Sequence, residues 1–351
     1  MTHPELEKLL DELGIQSPVE ADSQPKPAED KPIPNLPLVL SVGGLSAFEE
    51  HLLSAMWRRF ELSPVHVGKM SIFSQMNLIT KQSKPGAPVV IIVGRQTILT
   101  KLFAMLVAAK YNGRRVHLCV VDCVACSLTG FQRTLFSRLA SYADRTVCFS
   151  ARESGRLQTE GVTADVLYPI VETTHPEQVS SGTPKPRLVS YLRASGSELS
   201  TLIKGYSLVK AKYPRAELTI FTDSCNVAND TVAGVSVQPL NGCMKEFESA
   251  HDIYVNVSSL SGGFLPFMVA QTAGLPCIVT DFGDVRELAV HGDNAVICRL
   301  NDPVSLADAI IALVEQDDLR HQITESAKLC CNDYSFDSLR DDWARFLGLS
   351  Y

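Results

Sequence analysis

The chain has 351 residues, 45% of them hydrophobic and 20% charged, with 32 Lys+Arg against 39 Asp+Glu. Such a length suggests two domains, each able to bury a core of its own, and the composition excludes a disordered or collagen-like chain. The charge is unevenly placed, with 3 basic and 8 acidic side chains in residues 1–36, 15 and 9 in 37–175, and 14 and 22 in 176–351, so the three blocks carry −5, +6 and −8. A basic middle block on an acidic chain suits an anionic partner.

In chain order, Thr2-His3-Pro4-Glu5 has capping-box spacing, and Leu6, Leu9, Leu10 and Leu13 follow at i, i+3, i+4 and i+7 before Gly14. The spacing predicts a short amphipathic helix. Isolated helices under about 12–15 residues are marginal in water, so the leucine stripe needs a surface, either on this chain or on a partner protein. Pro18, Pro25, Pro27, Pro32, Pro34 and Pro37 then punctuate a charged stretch that reads as an extended tether. These 36 residues have neither the basic start nor the apolar stretch of a signal peptide, and no run approaches the roughly 20 apolar residues of a membrane span. Ten Cys over this length make no dense disulfide framework, so a cytoplasmic protein with reduced thiols is expected.

From Leu38 short apolar runs alternate with helical periods. Leu38–Val42 leads into Gly43-Gly44 and a helix carrying Leu52, Leu53, Met56 and Trp57. Val89–Val93 precedes a helix through Leu102, Leu106 and Ala109, and Val116–Val121 and Thr146–Ser150 follow. Runs of five or six residues, rich in β-branched side chains and each trailed by a helix, indicate a parallel sheet covered on both faces. Residues 173–186 are polar and suit an interdomain hinge. The alternation resumes at Leu188–Tyr191, Leu218–Phe221, Ile253–Val257, Cys277–Thr280 and Ala295–Cys298. The expected architecture is α/β, with two tandem doubly wound Rossmann-like domains at 37–172 and 187–334. Residues 335–351 are expected to form a last helix, and ligands belong in the cleft beyond the carboxyl ends of the strands.

Asp252–Ser258 is a buried strand, and Ser261-Gly262-Gly263-Phe264-Leu265-Pro266 opens a helix. Glycines at that junction allow close backbone approach, and the free N–H groups of the helix start favour an anion such as a phosphorylated ligand. The structural alternative is a tight turn that needs small residues. Cys119-x3-Cys123-x2-Cys126 has iron–sulfur spacing, but Cys119 lies within an apolar strand, which makes small buried side chains the better reading. No His pair has ligand spacing, no Asp-x-Asp is present to bind a metal with phosphates, and no nucleophile-elbow serine or Walker loop occurs. Basic residues are not interleaved with aromatics, so no nucleic-acid partner is expected.

These residues resemble the retaining glycosyltransferases of family 4, which have the two-domain GT-B fold. Asp252, Ser258, Gly262, Leu265, Pro266, Ala270, Gly274, Pro276, Gly283, Glu287 and Gly292 stand in the family's order and spacing, and Tyr334-Ser335-Phe336 leading to Trp343 looks like its last helix, which crosses back to the first domain. The resemblance implies a metal-independent hexosyltransferase without cofactor, using a nucleotide-sugar donor. It points to Arg193 and Asp122 as catalytic residues, with Gly43, Gly44, Ser261, Gly262, Gly263, Phe264, Leu265 and Glu287 at the donor. Glu287 has a structural alternative, as a helix cap. The family's two glutamates fall on Ser261 and Val269, its donor-phosphate Lys on Ser197, and its first-domain His on Val121.

Two functions therefore stand beside each other. One is sugar transfer onto a glycan, lipid-linked or protein acceptor by a basic first domain that could also meet the inner membrane face through Arg58, Arg59, Arg95, Lys101, Lys110, Arg114 and Arg115. The other is a non-catalytic glycosyltransferase-like subunit that docks a partner through its leucine helix.

Overall fold

The computed structural model describes residues 36–42, 45–67, 69–82, 87–94, 97, 99–121, 128–171, 185–193, 196–222, 232–240, 251–258 and 264–349. The leucine stripe and nearly all of the tether and of the expected hinge lie outside them.

The described residues form two six-stranded sheets, parallel throughout. The first comprises β1 (Leu38–Ser41), β2 (Val65–His66), β3 (Val89–Val93), β4 (Val116–Val120), β5 (Arg145–Cys148) and β6 (Asp165–Val166), in the order β2-β1-β3-β4-β5-β6. The second comprises β7 (Arg187–Leu192), β8 (Glu217–Thr222), β9 (Val235–Pro239), β10 (Ile253–Asn256), β11 (Cys277–Thr280) and β12 (Val296–Cys298), in the order β12-β11-β10-β7-β8-β9. The central strands are apolar on both faces because helices cover both. All five residues of β3 and all five of β4 are buried.

Around the first sheet lie α1 (Ala47–Arg59), α2 (Ile72–Gln82), α3 (Leu99–Tyr111), α4 (Gly130–Ala140) and α5 (Ala151–Thr159). Around the second lie α6 (Gly196–Lys212), α7 (Phe264–Thr272), α8 (Pro303–Glu315) and α9 (Asp317–Cys331), and α10 (Phe336–Leu347) closes the described chain. The starts follow capping chemistry. The Ser46 hydroxyl accepts from the Glu49 amide at 3.1 Å while the Ser46 amide donates to Glu49 Oε2 at 2.7 Å, a complete capping box. Asp302 caps α8, with Pro303 at the first helical position. The edge pieces β2 and β6 hold two residues each and follow no apolar run, so periodicity does not signal them.

Helix α10 packs on the first half. Trp343 meets Trp57 edge-on at 5.4 Å between ring centroids and Phe149 at 6.3 Å, and its Nε1–H donates to the Tyr168 carbonyl at 2.8 Å. The Phe346 carbonyl takes a hydrogen bond from buried His117 Nδ1 of β4. One core cluster joins Val39, Trp57 and Phe149 to Tyr254, Phe264, Val269 and Trp343, so it spans both halves. Two further clusters lie under the other face of each sheet.

Candidate functional site

In each sheet the chain leaves its first strand for one side and later returns to the other. The reversal falls between β1 and β3 in the first sheet and between β7 and β10 in the second. At such a switch point the loops diverge beyond the carboxyl ends of the strands and leave a crevice for a ligand.

Arg193 follows β7 directly at one crevice. Across from it, Glu49 lies in the first turn of α1, the helix that follows β1 at the other. The two meet, with Arg193 Nη2 donating to Glu49 Oε2 at 2.7 Å. The Glu49 side chain is 6% exposed and that of Arg193 19%, so the pair is largely shielded from water and salt. The same Glu49 oxygen accepts the Ser46 amide. Sequence reasoning found Arg193 but missed Glu49. Its capping-box spacing after Gly43-Gly44 was legible, whereas its partner across the molecule was not.

On the other side of the second crevice, the described residues just after β10 are held by hydrogen bonds. Asn256 Oδ1 accepts the Ser258 amide at 2.9 Å, and the Thr280 hydroxyl donates to the Ser258 carbonyl at 2.8 Å. Phe264 and Leu265 begin α7, and both side chains are buried. Phe264 stacks on Tyr168 at 6.0 Å, so these two residues anchor the helix start in the core. Val269 is 3% exposed and belongs to the core shared by the two halves. Val121 is buried and donates its amide to the Val93 carbonyl at 2.8 Å. Asp122, Gly43, Gly44, Ser261, Gly262 and Gly263 lie outside the described residues.

Glu287 ends a single 3-10 turn, Asp284–Glu287, rather than capping the helix that starts there. Its carboxylate does cap a helix, but one in the first half. Its two oxygens accept the amides of Ala151 and Arg152 at 2.8 and 2.6 Å, at the start of α5. Asp284 joins it by accepting the Ser150 hydroxyl at 2.9 Å, with Arg152 and Arg156 nearby at 3.8 and 3.6 Å. Burial pushes the Asp284 carboxyl above the usual carboxylate range, against the pull of Ser150 and the two arginines. A negative pair on a helix N-terminus is electrostatically favourable, and here it ties the two halves together.

The basic residues of the first half are partly committed elsewhere. Arg59 lies over the Phe336 ring at 4.8 Å, Lys110 pairs with Asp144 at 2.7 Å, and Arg95 is outside the described residues. Cys119 is buried in β4, where burial pushes its thiol upward. No described helix is long and apolar enough to cross a membrane.

Anabaena HepE, solved with UDP and glucose, superposes over 89% of this chain and 99% of its own with a TM-score of 0.71 at 12% identity. The chain has the GT-B fold. Residues 237–329 match the family model "Glycosyl transferases group 1", a span that holds β10, α7, β11 and the Asp284–Glu287 turn. Among curated proteins, N-acetyl-alpha-D-glucosaminyl L-malate synthase of Bacillus anthracis is 29% identical over 83 residues, 24% of this chain and 22% of that protein. An uncharacterized glycosyltransferase of Haemophilus influenzae is 23% identical over 155 residues, 42% of this chain and 44% of that protein. The chain thus matches less than half the length of either curated relative.

Proposed function

We propose that the protein transfers a sugar from a nucleoside-diphosphate sugar to a glycan, lipid-linked or protein acceptor. The observation that carries this reading is the position of Arg193, directly after the first strand of the second sheet at its switch point. It stands in a GT-B fold whose second half matches group 1 glycosyl transferases. HepE, similar over its whole length, was solved with UDP and glucose, which supports UDP as the first nucleotide to try.

In this reading the donor diphosphate lies beyond β7 and β10. Arg193 neutralises charge as it builds on the departing phosphate, and the amides at the start of α7, with Gly262 and Gly263, cradle the phosphate oxygens. Asp122 and Glu287 border the sugar side. The basic first half receives the acceptor, and its surface gives any contact with a membrane face. Val269 has no hydrogen-bonding group, so the ribose hydroxyls must be held by other groups of the cleft. Charge neutralisation by Arg193 and backbone amides makes the transfer metal-independent and cofactor-free, so a chelator should leave the rate unchanged. The leucine stripe serves as a docking element for a partner protein, and the whole works in the cytoplasm.

The test is calorimetry of the full chain against UDP, GDP and their sugar conjugates. A hydrogen bond to a charged group contributes about 1.5–3 kcal/mol. Arg193→Ala should therefore weaken nucleotide binding by roughly 10–100-fold. A folded protein that binds none of these nucleotides would refute the reading and leave the non-catalytic subunit in its place.

A further inference from the structure

We infer that Glu49 is a built-in competitor for the donor diphosphate and sets nucleotide affinity by occupying the guanidinium of Arg193. The inference rests on the nucleotide-sugar reading above and adds to it a residue that no family motif in the sequence names. Three observations carry it. First, Arg193 Nη2 donates to Glu49 Oε2 at 2.7 Å, the length of a good charge-assisted bond. Second, both side chains are largely buried, at 6% and 19% exposure, so neither water nor salt weakens the attraction as it would at a surface. Third, the same Oε2 is held at 2.7 Å by the Ser46 amide, as one half of the α1 capping box. Glu49 is therefore fixed to the first half of the molecule and cannot follow Arg193 to a ligand without leaving its helix cap.

The consequence is electrostatic. A diphosphate that engages Arg193 either displaces Glu49 from the guanidinium or shares it. Displacement exposes a buried carboxylate to the loss of its cation, which is unfavourable. Sharing brings two negative groups onto one positive group, and charges of like sign a few ångströms apart in a partly buried site repel strongly. Either way the carboxylate lowers the affinity for an anion. The bound state also differs from the empty one in the contact between the halves, because Arg193 belongs to the second sheet and Glu49 to the first. Nucleotide binding is thus coupled to the loosening of one contact across the cleft, while the Asp284 and Glu287 contacts with α5 remain.

The discriminating experiment uses the full chain with Glu49→Gln, Arg193→Ala and the double variant, each titrated calorimetrically with UDP and GDP at one pH and salt. Glutamine keeps a carbonyl for the Ser46 amide, since the capping box accepts Glu or Gln at this position. The fold should survive, and a thermal melt checks that. Expected is about tenfold tighter binding on Glu49→Gln when Arg193 is present and less than about threefold in the Arg193→Ala background. That difference, a coupling of the two sites, is what competition for one guanidinium requires. Equal affinity of wild type and Glu49→Gln overturns the inference while leaving the donor reading intact. So does weaker binding, which would make Glu49 a positioner of Arg193, and so does equal tightening in both backgrounds, which would make it a remote negative charge. Binding of neither nucleotide by any folded variant refutes the donor reading itself, and the inference with it.

Discussion

Replacing Trp343 by alanine should separate α10 from the first half. The side chain is fully buried and touches three aromatic rings, Trp57 at 5.4 Å, Phe346 at 5.7 Å and Phe149 at 6.3 Å, all edge-on. Truncating a buried tryptophan to alanine costs about 3–5 kcal/mol in transfer and cavity free energy. The hydrogen bond from Nε1 to the Tyr168 carbonyl at 2.8 Å is worth about 0.5–1.5 kcal/mol of that kind of loss by itself. At roughly 2–4 °C per kcal/mol for a unit of 150–250 residues, Trp343→Ala should lower the melting temperature by about 6–20 °C. Trp343→Phe keeps most of the ring contacts and loses the hydrogen bond, so it should fall well short of that. The assay is thermal unfolding followed by far- and near-ultraviolet circular dichroism. Near-ultraviolet signal lost ahead of far-ultraviolet signal would mark release of α10 before global unfolding. A drop below about 3 °C for Trp343→Ala, or equal drops for both variants, would refute the argument that ring packing holds the terminal helix to the first sheet.

Two further outcomes follow from the same contacts. Burial, with help from Arg115 and Arg145, holds His117 below its ordinary value of 6.5, against the Phe346 carbonyl and Asp144. The folded protein therefore keeps this ring neutral where the unfolded chain takes up a proton, so stability is present above about 6.5 and falls as pH drops toward the lowered value. A His117→Asn variant should flatten melting temperature against pH over that window, and an unchanged slope would assign the effect to other groups. Glu287→Ala removes the acceptor for the Ala151 and Arg152 amides at the start of α5. A lost N-cap costs about 0.5–2 kcal/mol, so a modest fall in melting temperature should accompany a larger radius of gyration in X-ray scattering. An unchanged radius would show that Asp284 alone holds the two halves at this point.

Much of the fold was legible in the sequence because parallel strands buried on both faces leave a strong local signature. Val89–Val93 and Cys277–Thr280 coincide with β3 and β11. The short edge strands escaped because two residues carry no period, and β9 because its pattern is mostly exposed. Of the described candidate residues, Arg193 directly follows β7, beside the switch point of the second sheet. Phe264 and Leu265 turn their side chains into the core, and Glu287 faces a helix start 136 residues away from it in sequence.

By itself the sequence determined the class of fold and the three charge blocks, and its resemblance to a known family pointed to Arg193. The class of fold is legible because strands and helices are written by neighbours within a few residues, where periodicity acts. Only the tertiary structure decided what meets that cation. Glu49 and Arg193 are brought to 2.7 Å by the packing of the two halves on a shared core. A contact made between residues 144 positions apart leaves no trace in the local pattern of either, because each is written by its own helix or strand.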